Sequence, residues 1–122
     1  MENLNTNNLA DVLDAIDAID AAVSICDIDL KLLYMNRKSA AAFEASGGFS
    51  LIGKDLAGCH KPGSVEKMKE IIASGKPNVY TISKKGVKKL IWQGPWEKDG
   101  NVAGLIEISM PLPETMPHYN RD

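Results

Sequence analysis

The sequence predicts a single α+β domain in which helices cover one face of an antiparallel sheet. Three observations predict it. Strand-like runs fall into two groups, a pair near the N-terminus and three in the C-terminal half; helix-forming segments separate the groups; and turn dipeptides such as Lys85-Gly86 join neighbouring strands. A chain of 122 residues has room for one such domain, since domains commonly hold about 100–150 residues. With 44% hydrophobic and 25% charged residues, it can bury enough apolar surface to offset the entropy of ordering the backbone.

Residues 1–7 are polar and Asn-rich with no apolar period, and are predicted to be a flexible lead-in. Asn8 suits an N-cap, and Leu9, Val12, Leu13, Ile16 and Ile19 recur at helical spacing, which predicts an amphipathic helix over 8–19. Asp11, Asp14, Asp17 and Asp20 recur every three residues. That spacing drifts around a helix, so it predicts a solvated acidic side rather than a cation site. The apolar runs 21–26, with β-branched Val23 and Ile25, and 32–35, split by Asp27-Ile28-Asp29, predict a hairpin.

Asn36 stands where an N-cap is needed for a short helix through Glu44, which Ser46-Gly47-Gly48 stops. Gly53 and Gly58 leave room for at most one helical turn, around Asp55-Leu56-Ala57. A longer helix is expected to be capped by Ser64, to present Val65, Met68, Ile71 and Ile72, and to end at Gly75 and Pro77. Strands are predicted over 78–84, 87–96 and 102–110. Leu90, Trp92 and Trp96 share one face of the middle strand, Lys89, Ile91 and Gln93 the other, and Ile106, Ile108 and Met110 share a face of the last. Prolines 111, 113 and 117 then make 111–122 a proline-rich tail without a helix.

Composition excludes several functions. A net charge of −2 supplies no attraction for phosphate backbones, so no nucleic-acid partner is expected. No run approaches the ~20 apolar residues of a membrane span, and residues 1–6 lack the basic and apolar parts of a leader, which predicts a cytoplasmic domain without membrane contact. Cys26 and Cys59 are too few for a disulfide framework and too isolated for a zinc site. Cys59 beside His60 does not make a nucleophile and base, because adjacent residues rarely face each other and no orienting acid is at hand, so no catalytic residue is assigned.

From Asp14 to Met110 the sequence resembles the PAS domain family. The resemblance is carried by Ala22-Val23-Ser24-Ile25-Cys26-Asp27 with Leu33-Tyr34-Met35-Asn36 and the Ala-rich helix, by Leu51-Ile52-Gly53-Lys54-Asp55-Leu56, and by 98–104 around Asp99-Gly100. It implies a five-stranded antiparallel sheet in the order 2-1-5-4-3, helices on one face and an N-terminal flanking helix, with the domain over 8–110. Cys59-His60-Lys61-Pro62-Gly63-Ser64-Val65 is similar, with two departures, to a Cys-His-Pro-Pro-Lys-Ser-Val stretch in some PAS-like domains. Ser109-Met110-Pro111 replaces the family's Asp-Ile-Thr exit, which moves the expected signal route to the N-terminal helix.

The resemblance implies a sensory or regulatory domain, not an enzyme, that binds a small, largely apolar ligand or forms a homodimer and passes its state to a signalling protein. Residues expected to line its pocket are Ile25, Met35, Phe43, Leu56, His60, Met68, Ile72, Ile82, Trp92 and Ile106; the expected dimer stripe is Leu9, Val12, Leu13 and Ile16. No metal or cofactor is required. Haem ligation by His60 is the alternative, against which a hydrogen bond from His60 to local backbone is preferred. A ligand-free interaction module and, last, a small enzyme complete the alternatives.

Overall fold

Asn8 caps the first helix as expected: its side chain accepts from Ala10 N–H at 3.0 Å and opens helix α1, Leu9–Asp17. The computed structural model describes residues 8–58 and 60–122; the expected lead-in 1–7 and Cys59 lie outside them. Two strands follow, β1 (Ala22–Asp27) and β2 (Leu32–Met35), then α2 (Arg37–Ala42), three 3-10 turns (Glu44–Ser46, Gly48–Leu51, Leu56–Gly58), α3 (Pro62–Ser74), and β3 (Asn78–Lys84), β4 (Val87–Lys98) and β5 (Asn101–Pro111). The strands form one antiparallel sheet in the order β2-β1-β5-β4-β3.

The β1–β2 loop is set by Asp27, whose carboxylate accepts from Asp29 and Lys31 N–H, both at 2.9 Å. This Asx turn delivers Leu30 into the core. The other two hairpins each close on two residues with positive φ, Lys85-Gly86 (52° and 77°) and Asp99-Gly100 (54° and 79°). Such turns match the right-handed twist of the strands they join. Gly100→Val should therefore lower stability by about 1 kcal/mol or more, because a β-branched residue resists φ > 0. Equal urea midpoints for variant and parent would contradict it.

Two expectations need correction. The long helix starts at Pro62, not after a Ser64 cap; Lys61 is the N-cap and supplies no side-chain bond. Proline at the first helical position has its φ preset and lacks an N–H that would have no partner there anyway, so it fixes the start without a capping side chain. The segment 48–58 holds two 3-10 turns rather than one, and between them it runs beside β2, with Leu32 N–H donating to Lys54 O (2.9 Å) and Gly53 N–H to Leu32 O (2.7 Å).

The core lies between the sheet and α3. Cys26 and Leu105 of the sheet pack with Leu30 and with Val65, Met68 and Ile71 of α3, while Leu32, Met35, Ala40 and Leu51 form a second cluster under α2. Leu56 touches both. Each large side chain fully removed from water here contributes roughly 1.5–3 kcal/mol. No helix among the described residues is long and apolar enough to cross a membrane.

These contacts fix which face of the sheet is inner. Cys26 and Leu105 meet α3, so by alternation Ser24, Glu107, Ser109, Ile91 and Gln93 also point inward, and Val23, Ile25, Leu90, Trp92, Ile106 and Ile108 point outward. In the three central strands the more apolar row therefore faces away from α2 and α3.

Asn36 joins the two ends of the N-terminal half. It is fully buried. Its Oδ1 accepts from Ser39 N–H (3.1 Å), as a cap should, and also from Val23 N–H (2.9 Å); its Nδ2 donates to Ala21 O (2.8 Å) and Ile16 O (3.3 Å). Beside it Asp17 accepts from Arg37 N–H at 2.8 Å and pairs with the Arg37 guanidinium at 2.7 Å. The C-terminal end of α1 is thus fastened to the start of α2, and Asp20 pairs with Lys38 at 2.8 Å. Asp17 and Asp20, two of the regularly spaced acids, thus hold α1 and the segment after it to α2.

Candidate ligand cleft on the inner face of the sheet

Between the inner face and the two helices lies an open cleft of about 390 Å³. Its deep end narrows to about 30 Å³ and is walled by Leu32, Met35, Leu51, Leu56 and Leu105. Ser24, Ser39, Phe43, His60, Met68 and Glu107 border both parts, so they form one space. The wider mouth adds Tyr80, Ile82, Ile91, Gln93 and Ser109, and Lys84 and Lys89 also line it.

The inner face is polar where it crosses this cleft. Ser24, Glu107, Gln93 and Asn78 sit opposite one another on β1, β5, β4 and β3 and form one row across four strands. Asn78 Nδ2 donates to Gln93 Oε1 at 3.1 Å, and Gln93 Nε2 donates to Glu107 Oε2 at 2.7 Å. Gln93 is 8% exposed. Each of its amide atoms is committed, so its orientation is fixed. Among the described residues no other donor reaches the Glu107 carboxylate.

His60 is half-buried, with Nδ1 3.0 Å from Leu56 O and its ring 6.2 Å from that of Phe43. A carbonyl only accepts, so Nδ1 carries a proton. The local backbone bond expected of His60 is present, made to the residue four positions before it. Burial, followed by the nearby Asp27 and Glu107 charges and opposed by a hydrogen bond from Leu105, pushes the Cys26 thiol up to about 11. It stays protonated near neutral pH and is a poor nucleophile.

Of the residues expected to line a pocket, Met35, Phe43, Leu56, His60, Met68 and Ile82 come together at this cleft. Ile25, Trp92 and Ile106 do not. They lie on the outer face, Ile25 directly opposite Ile106, and Trp92 lies over Gly94 of its own strand. Ile72, on α3, packs against the core instead. The apolar wall that haem at His60 would need from Ile72, Trp92 or Ile106 is absent from the cleft. Sequence reasoning missed Ser24, Ser39, Asn78, Gln93, Glu107 and Ser109. The trace of Ser24, Gln93, Glu107 and Ser109 in the sequence is a set of polar residues at alternate positions in their strands.

Outside the cleft, Trp96 reaches across β5 on the outer face, and its Nε1 donates to Cys26 O at 2.9 Å. The indole passes over Gly104, where a Cβ would overlap the Cys26 carbonyl oxygen and lie 2.7 Å from Trp96 Nε1. Glycine is required there by proximity alone.

No family model and no curated protein matches the sequence. Solved structures do. The PAS domain of BvgS from Bordetella pertussis superposes with a TM-score of 0.63 at 17% identity over 89% of each chain. The PAS domain of the histidine kinase ThkA gives 0.63 at 14% identity, covering 75% of this chain and 99% of its own. VqmA of Vibrio cholerae, described as a dimer and a LuxR-type receptor, gives 0.63 at 14% identity over 88% of this chain and 52% of VqmA. A second VqmA structure, bound to DPO, gives 0.60 at 15% identity, covering 84% of this chain and 57% of that one. With the sheet order and the placement of the helices, these likenesses show that the chain has the PAS fold.

Proposed function

We propose that the chain is a sensory signal-transduction domain that takes a small molecule into the cleft between α2, α3 and the inner face of the sheet. The observation that carries this reading is the hydrogen-bonded polar row Asn78–Gln93–Glu107, of which Gln93 and Glu107 line an open space. A domain that only packs its core would put apolar side chains there, since buried polar groups are costly unless they are paired. PAS-fold neighbours from histidine kinases and a receptor bound to DPO support a sensory role by analogy of fold.

The expected signal path is short. Ser39, Ala42 and Phe43 of α2 border the cleft, and Asn36 and Arg37 at the start of the same helix grip Ile16 and Asp17 of α1. A ligand that shifts α2 thereby moves α1. Homodimerisation belongs to the same proposal. Leu9 of α1 is 71% exposed, Val79 and Met110 on the outer face are 55% and 41% exposed, and Val12, Leu13 and Ile16 are half-buried. A second copy covering α1 and the outer face would take this apolar surface out of water.

Native mass spectrometry of the full chain tests both parts, before and after incubation with a low-molecular-weight cell extract. The expected result is a dimer that gains the mass of a small molecule. A monomer that keeps its bare mass in both samples overturns the reading.

A further inference from the structure

The polar row also points to the chemistry of what enters. We propose that the cleft selects a small molecule with an N–H donor on a compact apolar body, the donor meeting Glu107 and the body lying in the wider part against Phe43, Met68 and Ile82. This rests on the cleft being a ligand site and names the ligand class.

The argument starts from Gln93. Its Oε1 is taken by Asn78 and its Nε2 by Glu107, so it has a fixed direction and presents its donor to the carboxylate. That leaves the row ending in an acceptor. Glu107 accepts from Gln93 through Oε2, and among the described residues nothing donates to Oε1 while the side chain borders both parts of the cleft. A carboxylate that borders an open cleft with one oxygen unmatched by a described donor is best satisfied by a donor arriving with the ligand. His60 borders the same space, with its Nδ1–H spent on Leu56 O.

The remaining charges do not reverse this preference. Lys38 is paired with Asp20 at 2.8 Å. Lys89 is opposite Pro111, two inward positions along the strands from the Gln93–Glu107 pair, and Lys84 lies at the end of β3. Tyr80 borders the mouth, and its pKa is raised, first by burial and then by Glu107, which keeps the phenol protonated. Lys84 and Lys89 line the outer part of the cleft, whereas the part that Glu107 shares with Phe43, His60 and Met68 holds no Lys or Arg, so an anionic group placed there would meet the carboxylate.

Three probes of one shape separate the possibilities: benzylamine, benzamide and benzoate, titrated into isotope-labelled full chain and followed by amide chemical shifts. Fragments of this size bind in the range up to about 10 mM. Benzylamine and benzamide are expected to shift amides of Ser24, Gln93 and Glu107, with benzoate at least about tenfold weaker, equivalent to about 1.4 kcal/mol. Benzylamine ahead of benzamide would identify a protonated amine as the donor, and the reverse a neutral N–H. In Glu107→Gln the row ends in an amide, so benzylamine should lose at least about tenfold while benzamide is retained through its carbonyl. Benzoate binding as well as benzylamine overturns donor selection but leaves the cleft a ligand site. Silence of these amides toward all three probes overturns donor selection, and an added small-molecule mass in native spectra would then still hold the cleft reading.

Discussion

Asn36→Ala should be among the most damaging single substitutions in the chain, lowering stability by about 3 kcal/mol or more. The loss of a helix cap accounts for about 1 kcal/mol of this. The rest follows because Val23 N–H and Ala21 O lose a partner inside the protein, and a buried polar group left without one costs about 1–3 kcal/mol. The geometry permits a sharper comparison. In Asn36→Asp the acceptor bonds from Val23 and Ser39 survive, but an oxygen now faces the carbonyls of Ala21 and Ile16. Burial and those carbonyls should raise the folded-state pKa of this aspartate above its unfolded value. Its protonated form is then the one favoured by folding, so the variant should recover relative to the parent as pH falls and lose ground as pH rises through that pKa. Urea midpoints at pH 5 and pH 7 read both effects. An alanine variant with the parent's midpoint would mean that water replaces the four bonds without loss.

The second large effect is expected at Gly104. Alanine there adds one methyl group, yet the Cβ collides with a backbone oxygen held in the β1–β5 ladder and with the indole that bonds to it. The side chain can move aside; the carbonyl cannot without breaking strand pairing. A cost of about 3 kcal/mol is expected, combining overpacking with the lost Trp96 hydrogen bond. Two measurements check the cause. Near-ultraviolet circular dichroism should lose the Trp96 contribution in Gly104→Ala. Repeating the substitution on Trp96→Phe should still destabilise, because the Cys26 carbonyl remains in place. If the phenylalanine background removes the whole penalty, the obstacle is the ring alone.

Most of the fold was legible because local chemistry and tertiary structure agree. Asn8 and Asn36 cap where read, the two dipeptide turns close their hairpins, and the alternating rows of β4 and β5 are the observed faces. The face that points to the helices was not legible. Periodicity separates two rows but carries no label for inside, and the usual inference from hydrophobicity chose Ile25, Trp92 and Ile106. In this sheet that inference fails, because the inner face must form a cleft as well as a core, and polar residues occupy the part that stays open. Ser24, Gln93 and Glu107 look like ordinary solvent-facing residues when each strand is read alone. Only the pairing register, which brings them side by side, shows that they form one row. Asn36 was legible as a cap through its neighbour Ser39, whereas its bonds to Val23, Ala21 and Ile16 depend on contacts distant in sequence.

The strand order has a consequence for how the chain is made. β3, β4 and β5 are joined by two-residue turns and can pair as soon as they leave the ribosome. β1 cannot, because its central neighbour is β5, the last strand to be synthesised. Until then β1 has only the four-residue β2 beside it, and a lone two-stranded hairpin is marginal in water. Val23 and Ile25 wait exposed while the rest of the domain is translated, and pairing across so long a separation is the slow kind of contact. A nascent chain stopped before Asn101 should therefore be unable to complete the sheet, and its first strand should be the part that chaperones meet.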